Sequence, residues 1–176
     1  MRKLCLLFLL IGTYCYAGER KYTVDSPDGK IQLAIIQTDA GELTYQLSVK
    51  RKQVIDASAL GFKTEDGLTF PFRGWKMGKV TRNKVNSVWK PLWGKRAVVP
   101  DKYNEMKLSF VNEAKSSDAL EVVARAYNEG VAFRYVSPQD AGSALELTTF
   151  NFAGDYTAWF YNGERHNIGP ERLTDT

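Results

Sequence analysis

The chain has 176 residues, two cysteines, one histidine and a formal charge of +4. That inventory makes a transition-metal site hard to build, and a chain this long can bury a core without disulfide staples. The basic excess is small, so composition gives no reason to expect a nucleic-acid partner.

Residues 1–17 read as a secretory leader. Arg2 and Lys3 form its basic start, Leu4 to Ile11 its apolar stretch, and Ala17 ends a small-residue cleavage site. The apolar stretch is too short to span a bilayer as a helix, and no later run is long enough. Tyr14 before Cys15 is a poor lipoprotein processing site, so a soluble periplasmic or secreted product is expected. Cys5, Cys15, Arg2 and Lys3 leave with the leader, and the mature balance falls to 22 basic against 20 acidic residues, or +2. Residues 18–176 are expected to make one β-sandwich domain.

Tyr22 to Asp25 alternates like a short strand and runs into Ser26-Pro27-Asp28-Gly29, a turn by its Pro and Gly. Asp25 and Asp28 lack calcium-loop spacing, and Pro27 intrudes, so a plain turn is expected. Ile31 to Gln37 and Leu43 to Val49 carry apolar residues at period two, joined through Asp39-Ala40-Gly41. Lys50-Arg51-Lys52 makes a charged turn before Val54 and Ile55, and Glu65-Asp66-Gly67 another after Leu60-Gly61-Phe62. Lys76 to Arg96 holds seven basic residues, no acidic ones, and Trp89 and Trp93. That mixture can mark a single-strand nucleic-acid groove, but a long hairpin with a solvated polar face and inward tryptophans is preferred.

Strands are also expected at Lys107 to Val111, around Leu145, Leu147 and Phe150, and at Tyr156 to Tyr161. Pro170 to Thr176 shows no closing element, and the chain reads as cut off. The central hairpin spans Leu120 to Val136 around Asn128-Glu129-Gly130, with Gly130 suited to a bulge at positive φ. Pairing Tyr127 with Val131 puts Val123, Arg125, Tyr127, Val131, Phe133 and Tyr135 on one face. Val122, Ala124, Ala126, Ala132, Arg134 and Val136 then share the other. Two apolar faces, each with one arginine, suggest a central position in a layered structure. The arginines are read as structural, lying across aromatic rings or pairing with a carboxylate, with ligand contact as the alternative.

No sustained 3.6-residue period occurs, and frequent short strands argue for an all-β, antiparallel β-sandwich. Chemistry is sparse. His166 has no local companion motif for a nucleophilic triad, and there is no phosphate-cradling glycine loop. Glu105, Glu113, Glu121 and Glu164 are possible acid–base groups, but their spacing alone pairs none of them. Glu105, between aromatic and apolar neighbours, is expected to be semi-buried with Arg96 or Arg125 as partner. Trp75, Trp89, Trp93 and Trp159 suit sugar faces but fill cores equally well, and the core is preferred for each.

Six stretches occur in an informative order: SPDGK (Ser26–Lys30), LTYQLSVKRKQVID (Leu43–Asp56), SALGF (Ser58–Phe62), WKPLWGKR (Trp89–Arg96), YNEM (Tyr103–Met106) and RAYNEGVAFRY (Arg125–Tyr135). In these the chain resembles the N-terminal domain of glycoside hydrolase family 97. Its last part, Ala158–Thr176, looks close to the family's starch-utilisation α-glucosidases. The resemblance implies the first part, incomplete at its C-terminal end, of an enzyme with a β-super-sandwich, a catalytic (β/α)8 barrel and a small β domain. It also implies calcium at the active site of the intact enzyme, with ligands beyond residue 176 and none held by this stretch. The barrel of the same chain and an α-glucosidic oligosaccharide, such as a starch fragment, are the implied partners. No catalytic, substrate-binding or metal residue carries over onto these positions, so the stretch alone is expected to be inactive. A free-standing carbohydrate-binding sandwich is the alternative.

Overall fold

The computed structural model describes residues 19–175 apart from 66, 68, 72–73, 114–118, 138–141 and 162–167. The described residues form β-strands and one 3-10 turn, with no α-helix among them. Among the described residues no helix is long and apolar enough to cross a membrane. The first sheet is an antiparallel meander of β1 (Arg20–Asp25), β2 (Ile31–Gln37), β3 (Leu43–Val49) and β4 (Lys52–Leu60). β5 (Phe62–Thr64) and β6 (Thr69–Phe70) follow, and then β7 (Trp75–Trp89), β8 (Val99–Asn112), β9 (Ala119–Tyr127) and β10 (Val131–Val136) form the second sheet in the order β10-β9-β8-β7. β11 (Ala144–Glu146) pairs with β5 in a small third sheet, and β12 (Thr157–Phe160) pairs with β13 (Ile168–Arg172).

The period-two pattern explains the layering. Val24, Leu33, Ile35, Leu43, Tyr45 and Leu60 from the first sheet meet Met106, Leu108, Phe110, Leu120, Val122, Ala124 and Ala126 from the second in one buried cluster. Phe70 closes its end, with its ring centroid 5.1 Å from that of Trp75 and 5.3 Å from that of Phe110. Burial of side chains this size contributes roughly 1.5–3 kcal/mol each. Gly61 sits against the backbone of Phe70, where an added Cβ would lie 2.5 Å from the Phe70 carbonyl oxygen, so only glycine fits.

Residues 147–153 run beside β4 and cover its edge. Leu147 and Thr149 donate their N–H groups to the carbonyls of Gly61 and Ala59, and Asp56 donates to that of Asn151. The buried Ser58 hydroxyl accepts from the Asn151 N–H at 2.9 Å and donates to the Asp56 carbonyl at 2.8 Å. The Leu145–Phe150 strand expected from sequence is thus shorter, ending at Glu146, because the residues after it bond β4 irregularly. The C-terminal residues do carry structure, namely β13 and a 3-10 turn at Leu173–Asp175.

The central hairpin differs from the sequence reading by one residue. Val131 pairs with Ala126, Phe133 with Ala124 and Tyr135 with Val122. The Tyr127 N–H donates to the Gly130 carbonyl at 2.8 Å, which leaves Asn128 and Glu129 as the loop, and Gly130 does not take positive φ. The shift exchanges one strand's faces relative to the other. Val122, Ala124, Ala126, Val131, Phe133 and Tyr135 now share the core side, and Arg125 and Arg134 both lie on the outer side. Packing favours this register because small alanines oppose large rings, leaving room for Tyr45 5.4 Å from Phe133. β10 is also a sheet edge among the described residues, not a central strand.

Candidate functional site

Three of the quoted motifs converge at one end of the sandwich. The Ser26–Gly29 turn closes with a Gly29 N–H to Ser26 carbonyl bond of 2.9 Å, and Gly29 takes φ 71°. The buried Ser26 hydroxyl donates to the Asp28 carboxylate at 2.6 Å and accepts from the Lys30 and Ile31 N–H groups. Asp28 also accepts from the Lys30 N–H and lies 3.1 Å from its ammonium. These bonds, the Ser26 hydroxyl first, hold the Asp28 carboxyl down at about 2. The turn is bound from the second sheet as well. Asn104 donates its amide to the Asp25 carbonyl at 2.7 Å, and Asn128 accepts from the Asp28 N–H at 3.1 Å.

Beside this junction lies a groove of about 630 Å³, lined among others by Asp25, Ser26, Arg82, Asn83, Lys84 and Asn104. Its polar groups are largely engaged within the protein. The Arg82 guanidinium reaches the Thr23 carbonyl at 3.5 Å and the Met106 sulfur at 3.9 Å, and the Asp25 carboxylate accepts from Gln32 at 2.8 Å. The groove can offer donors to hydroxyl or carboxylate oxygens, but its chief work is to lock the two sheets together.

Glu105 is the only buried carboxylate among the described residues, 6% exposed on the outer side of β8. It accepts from Arg125 Nε at 2.8 Å, and the Lys107 ammonium is 3.7 Å away. The Arg125 guanidinium lies 4.3 Å over the Tyr103 ring, and Tyr103 pairs in register with Tyr127, ring centroids 5.0 Å apart. Burial alone would pull the Arg125 pKa down. Hydrogen bonds to Glu105 and Tyr127 and the neighbouring negative charges outweigh it, so the value is raised. Burial likewise pushes the Tyr103 phenol up, partly offset by Arg125. A carboxylate committed in this way is an ion-pair anchor, not a poised acid or base. Of the two partners expected from sequence, Arg125 is found and Arg96 is not.

The other expected residues separate. Glu113 pairs with Lys76 at the surface, and Glu121 accepts from Ser109 at 3.3 Å. Glu164 and His166 lie outside the described residues. Trp75 is buried, as preferred from sequence, but Trp89, Trp93 and Trp159 are exposed. The first two occupy the far end of the β7–β8 hairpin, beyond the reach of the core. No group of three or more His, Cys, Asp or Glu side chains that could hold a metal occurs among the described residues. Asn104 and Asn128 had no role in the sequence reading. Their signal was a repeated Tyr-Asn-Glu triplet, Tyr103–Glu105 and Tyr127–Glu129, whose tyrosines fall in register.

The glycosyl-hydrolase 97 N-terminal family model matches residues 24–176. The chain is 22% identical over 192 aligned residues to a retaining α-galactosidase of Bacteroides thetaiotaomicron, covering 99% of the chain and 28% of that protein. It is 29% identical over 166 residues to a probable retaining α-galactosidase of Streptomyces bingchenggensis, covering 91% of the chain and 26% of the relative. Among solved structures, a family 97 enzyme from a Pseudoalteromonas species, crystallised with panose and also with acarbose, superposes with a TM-score of 0.69 at 34% identity. That match covers 81% of this chain and 22% of the enzyme. The chain thus spans about a quarter of the length of the relatives it matches.

Proposed function

Since the chain belongs to the glycosyl-hydrolase 97 N-terminal family, we propose that it is the N-terminal scaffold of an exported glycoside hydrolase acting on α-glucosidic oligosaccharides. The observation that carries this reading is the coverage. A stretch that an N-terminal family model matches covers about a quarter of each glycosidase relative and leaves the greater part of those enzymes unmatched. A catalytic barrel in the remainder of the chain would supply a carboxylic acid to protonate the leaving oxygen and a facing carboxylate as base or nucleophile. The sandwich would pack on that barrel and shape its pocket. Calcium would be held by carboxylates downstream, and residues 1–17 would direct export.

The glucosidic preference is supported by the relative at 34% identity, crystallised with panose, an oligosaccharide of α-linked glucose. The relatives named α-galactosidases stand at 22% and 29%. Assay of the intact enzyme on aryl α-glucosides and aryl α-galactosides separates the two. Faster turnover of the glucoside is expected, faster turnover of the galactoside would overturn the substrate, and no turnover of either would overturn the enzyme reading.

A second reading, a sugar-binding module without catalysis, rests on the exposed rings of Trp89, Trp93 and Trp159. Saturable calorimetric binding of maltooligosaccharides by the 176-residue chain would favour it.

A further inference from the structure

Among the described residues, the far end of the β7–β8 hairpin has no neighbour within its own sheet. β9 pairs with β8 only over Tyr103–Val111, whereas β7 and β8 continue pairing out to Trp89 and Val99. The rungs from Asn86–Lys102 to Trp89–Val99 and the connection 90–98 therefore project as a two-stranded arm, its paired part about 13 Å long at ~3.3 Å per residue. A two-stranded ribbon is marginally stable in water unless something packs against it. This one places Val88, Trp89, Leu92, Trp93 and Val98 in solvent, with Leu92 101% and Trp93 88% exposed. Around the apolar tip its charges are basic, Lys90, Lys95 and Arg96, and the arm's one acidic residue, Asp101, stands back on β8 opposite Ser87.

Clustered Trp and Leu on a projecting tip mark an interaction surface. A second copy is a poor occupant, because a two-fold contact between arms would bring like charges together. A tethered domain of the same chain is a better one, since the relatives are about four times as long as the matched stretch and tethering raises local concentration. We propose that the arm is an intramolecular docking device, whose Trp89–Leu92–Trp93 tip seats in an apolar, acid-rimmed recess on the segment that follows Thr176. This deepens the reading above, since it requires the downstream catalytic domain.

The test is hydrogen–deuterium exchange on the intact enzyme, wild type and Leu92→Ser/Trp93→Ser, with aryl α-glycoside turnover measured on the same samples. The expected result is slow exchange of the amides in 88–98, independent of protein concentration, becoming at least about tenfold faster in the double variant. Fast exchange in the wild type would overturn the docking, as would protection that grows with protein concentration, which marks a second copy. The exchange result alone decides the arm, and the turnover of the wild type alone decides the enzyme reading. An active enzyme with a freely exchanging arm would therefore sink only this inference.

Discussion

The two ends of the long β7–β8 hairpin contrast sharply. Near its base, Trp75 and Met77 lie against a core closed by Phe70 and Phe110, and midway Arg82 reaches the first sheet. At its tip, tryptophans of the same chemical character stand in water. The difference is one of neighbours, not of composition. An aromatic residue at period two fits a core strand when a second sheet lies opposite and becomes a docking element when none does.

The largest effect should separate the two ends by substitution. Phe110→Ala is expected to lower unfolding stability by about 3–5 kcal/mol, because the fully buried ring leaves a cavity against Phe70. In the same 176-residue chain, Leu92→Ala should stay within about 0.5 kcal/mol, since its side chain meets only solvent. Urea denaturation of both variants checks the pair, and a large loss in Leu92→Ala would erase the contrast.

Glu105→Gln comes next, with a loss of about 1–3 kcal/mol as Arg125 gives up its charged partner. Unchanged stability would show that the carboxylate is idle. Arg51 works in the opposite direction. Lys50 and Arg51 take φ of 50° and 67° in the two-residue turn between β3 and β4, a region costly for side-chain-bearing residues. Arg51→Gly should therefore raise stability by roughly 1 kcal/mol, seen as a higher thermal midpoint.

Asp28 gives the smallest effect and the most specific one. Its folded pKa is about 2 against an ordinary 3.8, so the folded state favours the carboxylate and the unfolded chain binds the proton more readily. The stabilisation is complete above 3.8 and is lost as pH falls from there through about 2. Because other carboxylates titrate in the same window, the readout is a difference: the wild type should lose more stability than Asp28→Asn over that range. Equal losses would show that the turn does not hold the charge.

Much of the sandwich was legible in the sequence. Ile31–Gln37 and Leu43–Val49 fall where their alternation placed them, and Gly41, at φ 86°, turns between them as expected. Glu105 was legible as a semi-buried acid from its Tyr and Met neighbours. The register of β9 against β10 was not, because Asn128-Glu129-Gly130 serves a two-residue or a three-residue loop equally well. Only the fit of Ala124 and Ala126 against Phe133 decides it, and that contact belongs to the assembled layers. The exposure of Trp89 and Trp93 was hidden for a related reason: where β9 stops short of the arm cannot be seen within β7 itself. The roles of Asn104 and Asn128 depend on a turn 79 and 100 residues away along the chain.

The central claim is that these residues form scaffold and that the bond-breaking carboxylates belong to the chain beyond Thr176. The most direct measurement compares release of the aryl group from an α-glycoside by the purified 176-residue chain and by the intact enzyme. The account predicts turnover by the intact enzyme and none above buffer by the shorter chain. Catalysis by the shorter chain, abolished by substituting one of its own carboxylates, would contradict it.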